Sequence, residues 1–340
     1  MSAPALNPRH GIHAPTESTP ARAPRSLRRT ATTDMLRPDG LLGPLLLVGR
    51  ARDLWTDARG AAQVLGESGY EARVAYLPQR EIVQLVTEPA LPAAQQLVGA
   101  RATSGFRGAL DAALPAERDA HSLLYLLLDD LPVAALVSGY AMSFGIRVPM
   151  PAGYKMLQHP DLCAGWRTGG TILAEMERDG RVPVVTGPAA LPLARAGDPL
   201  AWHALPQIPP NGMRRHRRLD LTPGERLGAD VLFRDSHVAP DGRETIVHEY
   251  TVTASVDPEA LTFAQIEATA HALPWLECNP AAASASRLVG RPVRGLRPEV
   301  RAEFTGITTC THLNDTLRSL EDIETLAAVL LRLVQSQNSR

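Results

Sequence analysis

Two stretches of the chain pass through the same short landmarks in the same order, and this constrains the fold more than any single motif. The first reads RPDG, Arg52-Asp53, QLVG (96–99), GFR (105–107) and LLDD (127–130). The second reads TPGE, Arg234-Asp235, RLVG (287–290), GLR (295–297) and HLND (312–315), with similar spacings. A long-period repeat in two copies is the signature of an internal duplication. Two copies cannot make a solenoid; they would pack about a pseudo-twofold axis, and clefts at such junctions are common ligand sites.

Within each copy, strand-like segments come first and helix-like segments follow. GPLLLVGRARDLWT, EARVAYLP and EIVQLVTEP read as strands bounded by Gly, Pro and Asp. LPAAQQLVGARA, FRGALDAAL and SLLYLLLDDLPVAALVSGYAM show helical spacing, with Pro132 expected to start or kink the second part of the last. The second copy offers strands in ADVLFRDSHV, ETIVHEYTVTASVD and, with less contrast to a helix, LTFAQIEATAH. Its helices fall around NPAAASASRLVG, RPEVRAEF and HLNDTLRSLEDIETLAAVLLRLV. The expected fold class is α+β, with two tandem pseudo-symmetric units, each an antiparallel three-stranded meander followed by helices. The expected boundaries are a disordered tail (1–32), a first repeat (33–144), a Pro/Gly-rich insert and linker (145–213) and a second repeat (214–335).

The charge balance excludes some function classes. Thirty-five basic side chains face 36 acidic ones, so a general polyanion binder is not expected, and RRHRR (214–218) reads as a solvated or ion-paired strand edge. Lys155 is the only lysine, which points to a high-GC codon bias. No run approaches the roughly 18 consecutive apolar residues of a membrane span. Three cysteines argue against a disulfide framework and for a reducing cytoplasm.

The segments DMLRPDG, LLVGRARDLWT, LLLDDLPVAALVSG, HPDLCAGWRTGG, FRDSHV, IVHEY, LECNPAAASASRLVG and TTCTHLNDTLRSL together resemble the DUF2889 family, a bacterial family of unknown function. CTHL is its most recognisable signature, and the resemblance covers nearly the whole chain after residue 32. It implies a site position at Asp235-Ser236-His237, where the family commonly has Asp-x-Lys. It implies others at His248, Cys278 and Thr309-Cys310-Thr311-His312-Leu313, where Thr309 replaces a Gly. His237 in place of Lys exchanges a permanent cation for a titrating or metal-binding group.

Asp235 and His237, two apart on a strand, share a face. If that face meets the start of the last helical segment, Cys310 and His312 arrive beside them. Imidazole, thiolate and carboxylate suit Zn²⁺, Fe or Mn, and His237, Cys310 and His312 are the candidate metal ligands. The spacing is no recognised metal signature. Without a metal, His312 with Asp235 and His248 would work as general acid and base, and Cys310 would be a candidate nucleophile. The bland alternative is a polar helix start, with Thr309 or Thr311 as cap and Cys310 as a small buried hydrophobe.

Arg52 and Arg234 are candidate substrate-carboxylate ligands, Arg52 alternatively pairing with Asp53. Trp166 and Arg167 are further candidates, beside a Gly169-Gly170 turn that would hold an anion at a helix start. The expected function is a small-molecule enzyme, a lyase or hydrolase acting on an aromatic or carboxylate-bearing metabolite. No nucleic-acid or membrane partner is expected, and a homo-oligomer is left open. The alternative is a non-catalytic ligand-binding or assembly module.

Overall fold

Alternating apolar and polar residues build two meanders. In a computed structural model, which describes residues 11–145, 160–180, 182–195 and 197–338, the first is β1 (Ser26–Leu36), β2 (Leu45–Thr56), β3 (Ala62–Ala75) and β4 (Glu81–Glu88). The second is β5 (Met213–Thr222), β6 (Leu227–Val238), β7 (Glu244–Val256) and β8 (Phe263–Ala272). All neighbours pair antiparallel, in one sheet of order β4-β3-β2-β1-β5-β6-β7-β8.

The α+β class holds, but each meander has four strands where three were expected. Residues 26–32, assigned above to a disordered tail, open β1, which lies in the middle of the sheet. RRHRR likewise forms the buried part of a central strand and not an edge. Both errors have one cause. An arginine-rich segment looks solvated, yet here a carboxylate waits for most of the guanidiniums, and buried charges persist only when so paired.

The first meander is followed by α1 (Phe106–Ala113), α2 (Pro115–Asp119), α3 (Leu123–Val137) and α4 (Gly139–Gly145), with α5 (Thr171–Asp179) in the insert. The second is followed by α6 (Leu296–Glu303), α7 (Thr311–Ser319) and α8 (Ile323–Asn338). Ser122 caps α3 by accepting from the Tyr125 N–H at 3.0 Å. The helix runs through Pro132 without ending there; a single proline removes only one backbone donor. Leu123–Gly145 is long and apolar enough to cross a membrane, the one such segment among the described residues. Its apolar window is 78% buried inside the fold, as in a core helix. The segments 92–97 and 276–288, expected as helices, are 3₁₀, the second an unusually long run containing Pro280.

Helices α3 and α8 pack on one face of the sheet, over β1–β3 and over β1 and β5. Two apolar clusters form there, one mostly from each half of the chain. On the opposite face the supposed linker is a strap. Arg28 donates to Ala201 O (3.2 Å), Arg52 to Leu200 O (2.7 Å), Arg214 to Pro206 O (2.7 Å) and Arg234 to Leu191 O (2.7 Å). Proline-rich backbone lacks N–H donors but keeps its carbonyls, and the arginine forks take them.

Candidate functional site

The alternation of β5 sorts its basic run by face. Arg215 and Arg217 point to the helices; Arg214, His216 and Arg218 point to the strap. Arg215 lies opposite Asp235 on β6 and donates to both its oxygens, Nε to Oδ1 at 2.9 Å and Nη2 to Oδ2 at 3.0 Å. Asp235 in turn lies opposite His248 on β7, just before a bulge in the register. The start of α7 then brings His312 over the same spot.

His248 Nδ1 lies 3.8 Å and His312 Nε2 3.9 Å from Asp235 Oδ2. The two imidazoles stack with centroids 3.6 Å apart and planes 19° from parallel. One ligand atom from each of the three residues falls within 4.8 Å of the others. Asp235 is wholly buried and His248 nearly so, while the His312 side chain keeps 17% exposure, which gives the group its contact with solvent. Burial pushes His312 down to about 3, helped by Arg215 and Arg217. Burial pushes His248 well below the usual imidazole range, helped by its stacked neighbour His312. Both rings are therefore neutral near pH 7, each with a lone pair free for a proton or a metal. His248 Nδ1 has no hydrogen-bond partner.

Cys310 is the N-cap residue of α7, and its Sγ lies 3.8 Å from His312 Nδ1. Burial raises its thiol to about 11, and burial also raises Cys163 and Cys278. A buried neutral thiol is a weak nucleophile, which weighs against that expected role for Cys310. The predicted caps Thr309 and Thr311 do not serve; Thr309 Oγ1 donates to Gly306 O, and Asn314 Nδ2 to Phe304 O.

His237 does not join the ligand group. Its ring packs 5.1 Å from Tyr140 and 4.9 Å from Phe144 between centroids, because α4 lies over that end of β6. Among the described residues, the donors close enough to share an ion are those of Asp235, His248 and His312, where His237, Cys310 and His312 were expected. Arg52 and Asp53 are neighbours on a strand and face opposite ways. Asp53 pairs with Arg29, and Arg52 serves the strap. Arg234 is also on the strap side, paired with Glu249 and Thr16.

Trp166 packs against the second-half core and Arg167 is exposed; neither is among the residues gathered at the imidazoles. The anion position at the start of α5 is filled from within. Glu277 accepts from both the Thr171 N–H and its hydroxyl, each at 2.7 Å.

Sequence reading missed the network behind Asp235. Arg215 also faces Asp130 at 3.6 Å and Asp315 at 3.8 Å. Arg217 clamps Asp130, and Arg107 and Arg318 each bridge Asp129 and Asp315. Arg297 joins Asp129 to Asp322, where Arg29 connects Asp53. Six guanidiniums and six carboxylates therefore form one chain of contacts across both halves. Strand alternation in RRHRR, with LLDD and HLND at matching places, was the available signal.

No curated protein and no solved structure matches the chain. Residues 213–326 match the family model described as a protein of unknown function, DUF2889. The match spans the second half and not, as the resemblance suggested, nearly the whole chain. It contains Arg215, Asp235, His248, Cys310 and His312 together. Over residues 213–326 the chain is similar to the DUF2889 family, the family that the sequence resemblance pointed to.

Proposed function

We propose that the chain is a small-molecule enzyme, a lyase or hydrolase, in which Asp235, His248 and His312 carry the chemistry. The observation behind this reading is the convergence of two neutral imidazoles on one buried carboxylate oxygen, at 3.8 and 3.9 Å. Two neighbouring strands, β6 and β7, and the distant start of α7 hold those groups in place. His312, the most exposed of the three, takes the proton from substrate. Asp235 stabilises the imidazolium that forms, and Arg215 holds Asp235 in orientation.

An internal duplication, inferred from paired features of the two halves, would support the same reading. Arg28 clamps Asp220 and Arg214 clamps Asp34 across the β1–β5 junction, each through Nε and Nη2. Arg29–Asp53 and Arg215–Asp235 are matching clamps within each half. A register shift follows Asp53 as one follows Asp235. We infer two copies related by a pseudo-twofold axis, of which the first has lost the chemistry. Asp53 faces Gly66 where Asp235 faces His248, and Leu127 stands where the second landmark has His312.

The test is turnover of a panel of carboxylate-bearing and aromatic esters, amides and hydroxy acids, followed by mass spectrometry, for the wild-type chain and His312→Asn. Turnover that the variant loses supports the enzyme. Equal turnover in both would sink it, and binding without turnover would favour a ligand-binding module.

A further inference from the structure

We infer that Asp235, His248 and His312 form a binding site for one divalent metal ion of the borderline class, Zn(II), Fe(II) or Mn(II). This deepens the reading of the same site given above and rests on it.

Two imidazole nitrogens and one carboxylate oxygen are the donor set that such ions prefer. Donors sharing an ion at about 2.1 Å lie roughly 3.0–3.4 Å apart. The nitrogens here are 3.8 and 3.9 Å from Asp235 Oδ2, so each closes by about half an ångström on binding. The stacked rings turn slightly so that their in-plane lone pairs converge. His248 Nδ1 is the independent sign of a missing partner. It is a buried ring nitrogen aimed at the carboxylate, with no hydrogen bond of its own.

The surroundings have the form of a metal site's outer shell. Arg215 binds both oxygens of Asp235 and fixes the carboxylate, leaving lone pairs on Oδ2 for the ion. Cys310 Sγ sits beside His312 Nδ1 and holds the ring so that Nε2 faces inward. The charge around the site sets the remaining ligands. Arg215 repels a cation, but Asp130, Asp235 and Asp315 all face it within 3.8 Å and cancel that field. Because the Arg–Asp network is already balanced, the ion's own charge is met by an anionic oxygen ligand, hydroxide or a substrate carboxylate, at an open position. Among the described residues, His121 also lies in a polar cluster, but Arg297 Nη1 at 3.3 Å occupies its Nδ1, so it offers no second metal site.

The full chain is produced without a polyhistidine tag, stripped with a chelator and dialysed separately against Zn(II), Mn(II), Co(II) and, anaerobically, Fe(II). Metal content is read by mass spectrometry and Co(II) coordination by visible absorption. The expected result is about one ion per chain. Affinity should fall at least roughly tenfold in His312→Ala and His248→Asn, with no change in His237→Ala. Circular dichroism establishes that each variant is folded, and the Co(II) spectrum separates lost ligation from lost structure. Failure of the folded wild type to retain an ion, or undiminished affinity in folded His312→Ala, overturns the metal site. That outcome leaves the proton-transfer reading standing, because the chelator-stripped wild type is assayed for turnover alongside His312→Asn.

Discussion

Replacing Arg215 by Met removes a side chain that is 1% exposed and keeps its approximate length. Two charge-assisted hydrogen bonds to Asp235, of 2.9 and 3.0 Å, go with it. Asp235, 0% exposed, is then left with only the two neutral imidazoles beside it and no guanidinium, and Asp130 and Asp315 lose a shared neighbour. Removing one partner of such a buried pair costs about 3–5 kcal/mol, a large part of the roughly 5–15 kcal/mol that holds a domain folded. The double variant Arg215→Met/Asp235→Leu leaves no stranded charge and should recover most of that loss. Urea denaturation of the wild type, both single variants and the double variant closes the thermodynamic cycle. A loss below about 1 kcal/mol in Arg215→Met, or a double variant as unstable as the sum of the singles, would refute the argument that pairing, not burial alone, sustains these arginines.

Three further outcomes follow from the same structure. Both ring nitrogens of His203 are held by the Thr30 and Thr32 hydroxyls, at 2.9 and 2.8 Å, and burial with Arg52, Arg214 and Arg50 lowers the group to about 3. The unfolded chain then binds the extra proton first, so this contribution is complete above about pH 6.5 and is lost as pH falls below it. Urea titrations between pH 7 and 5 should show a stability slope smaller in His203→Gln by up to about 1.4 kcal/mol per pH unit, and equal slopes would contradict the assignment. Buried, proton-retaining Cys163, Cys278 and Cys310 should resist a thiol reagent at pH 7.5 in the native protein and react together in guanidinium; rapid native labelling of Cys310 would restore it as a nucleophile. In Gly187→Ala the new Cβ would stand 1.7 Å from Ile246 O, a backbone atom. The strap should detach there and be cut by protease faster than in the wild type, and an unchanged cleavage rate would count against the packing described.

The apolar and turn patterns were enough to find six of the eight strands, since GPLLLVGRARDLWT and ETIVHEYTVTASVD alternate clearly. What could not be read was β1 and β5, the two central strands. SLRRTATTDML has few apolar residues because its side chains bury as ion pairs and threonine hydrogen bonds, Arg28 with Asp220 and Arg29 with Asp53. Those pairs depend on carboxylates from other strands, which no local window contains. The site followed the same division. Asp235, His248 and His312 were visible as residue types in the second half of the chain, but which imidazole would turn toward Asp235 was decided by α4, whose Tyr140 and Phe144 take His237. A one-sided view of RRHRR also hid Arg215, because alternation matters only once the run is known to be a central strand.

The most direct test is a crystal structure of the full chain soaked with Mn(II) or Zn(II), with anomalous data collected at the absorption edge of the ion. The account predicts an anomalous peak bounded by Asp235 Oδ2, His248 and His312, with Arg215 still clamping the carboxylate. Imidazoles of His248 and His312 turned away from Asp235, each beyond about 10 Å of it and separated by solvent, would contradict it.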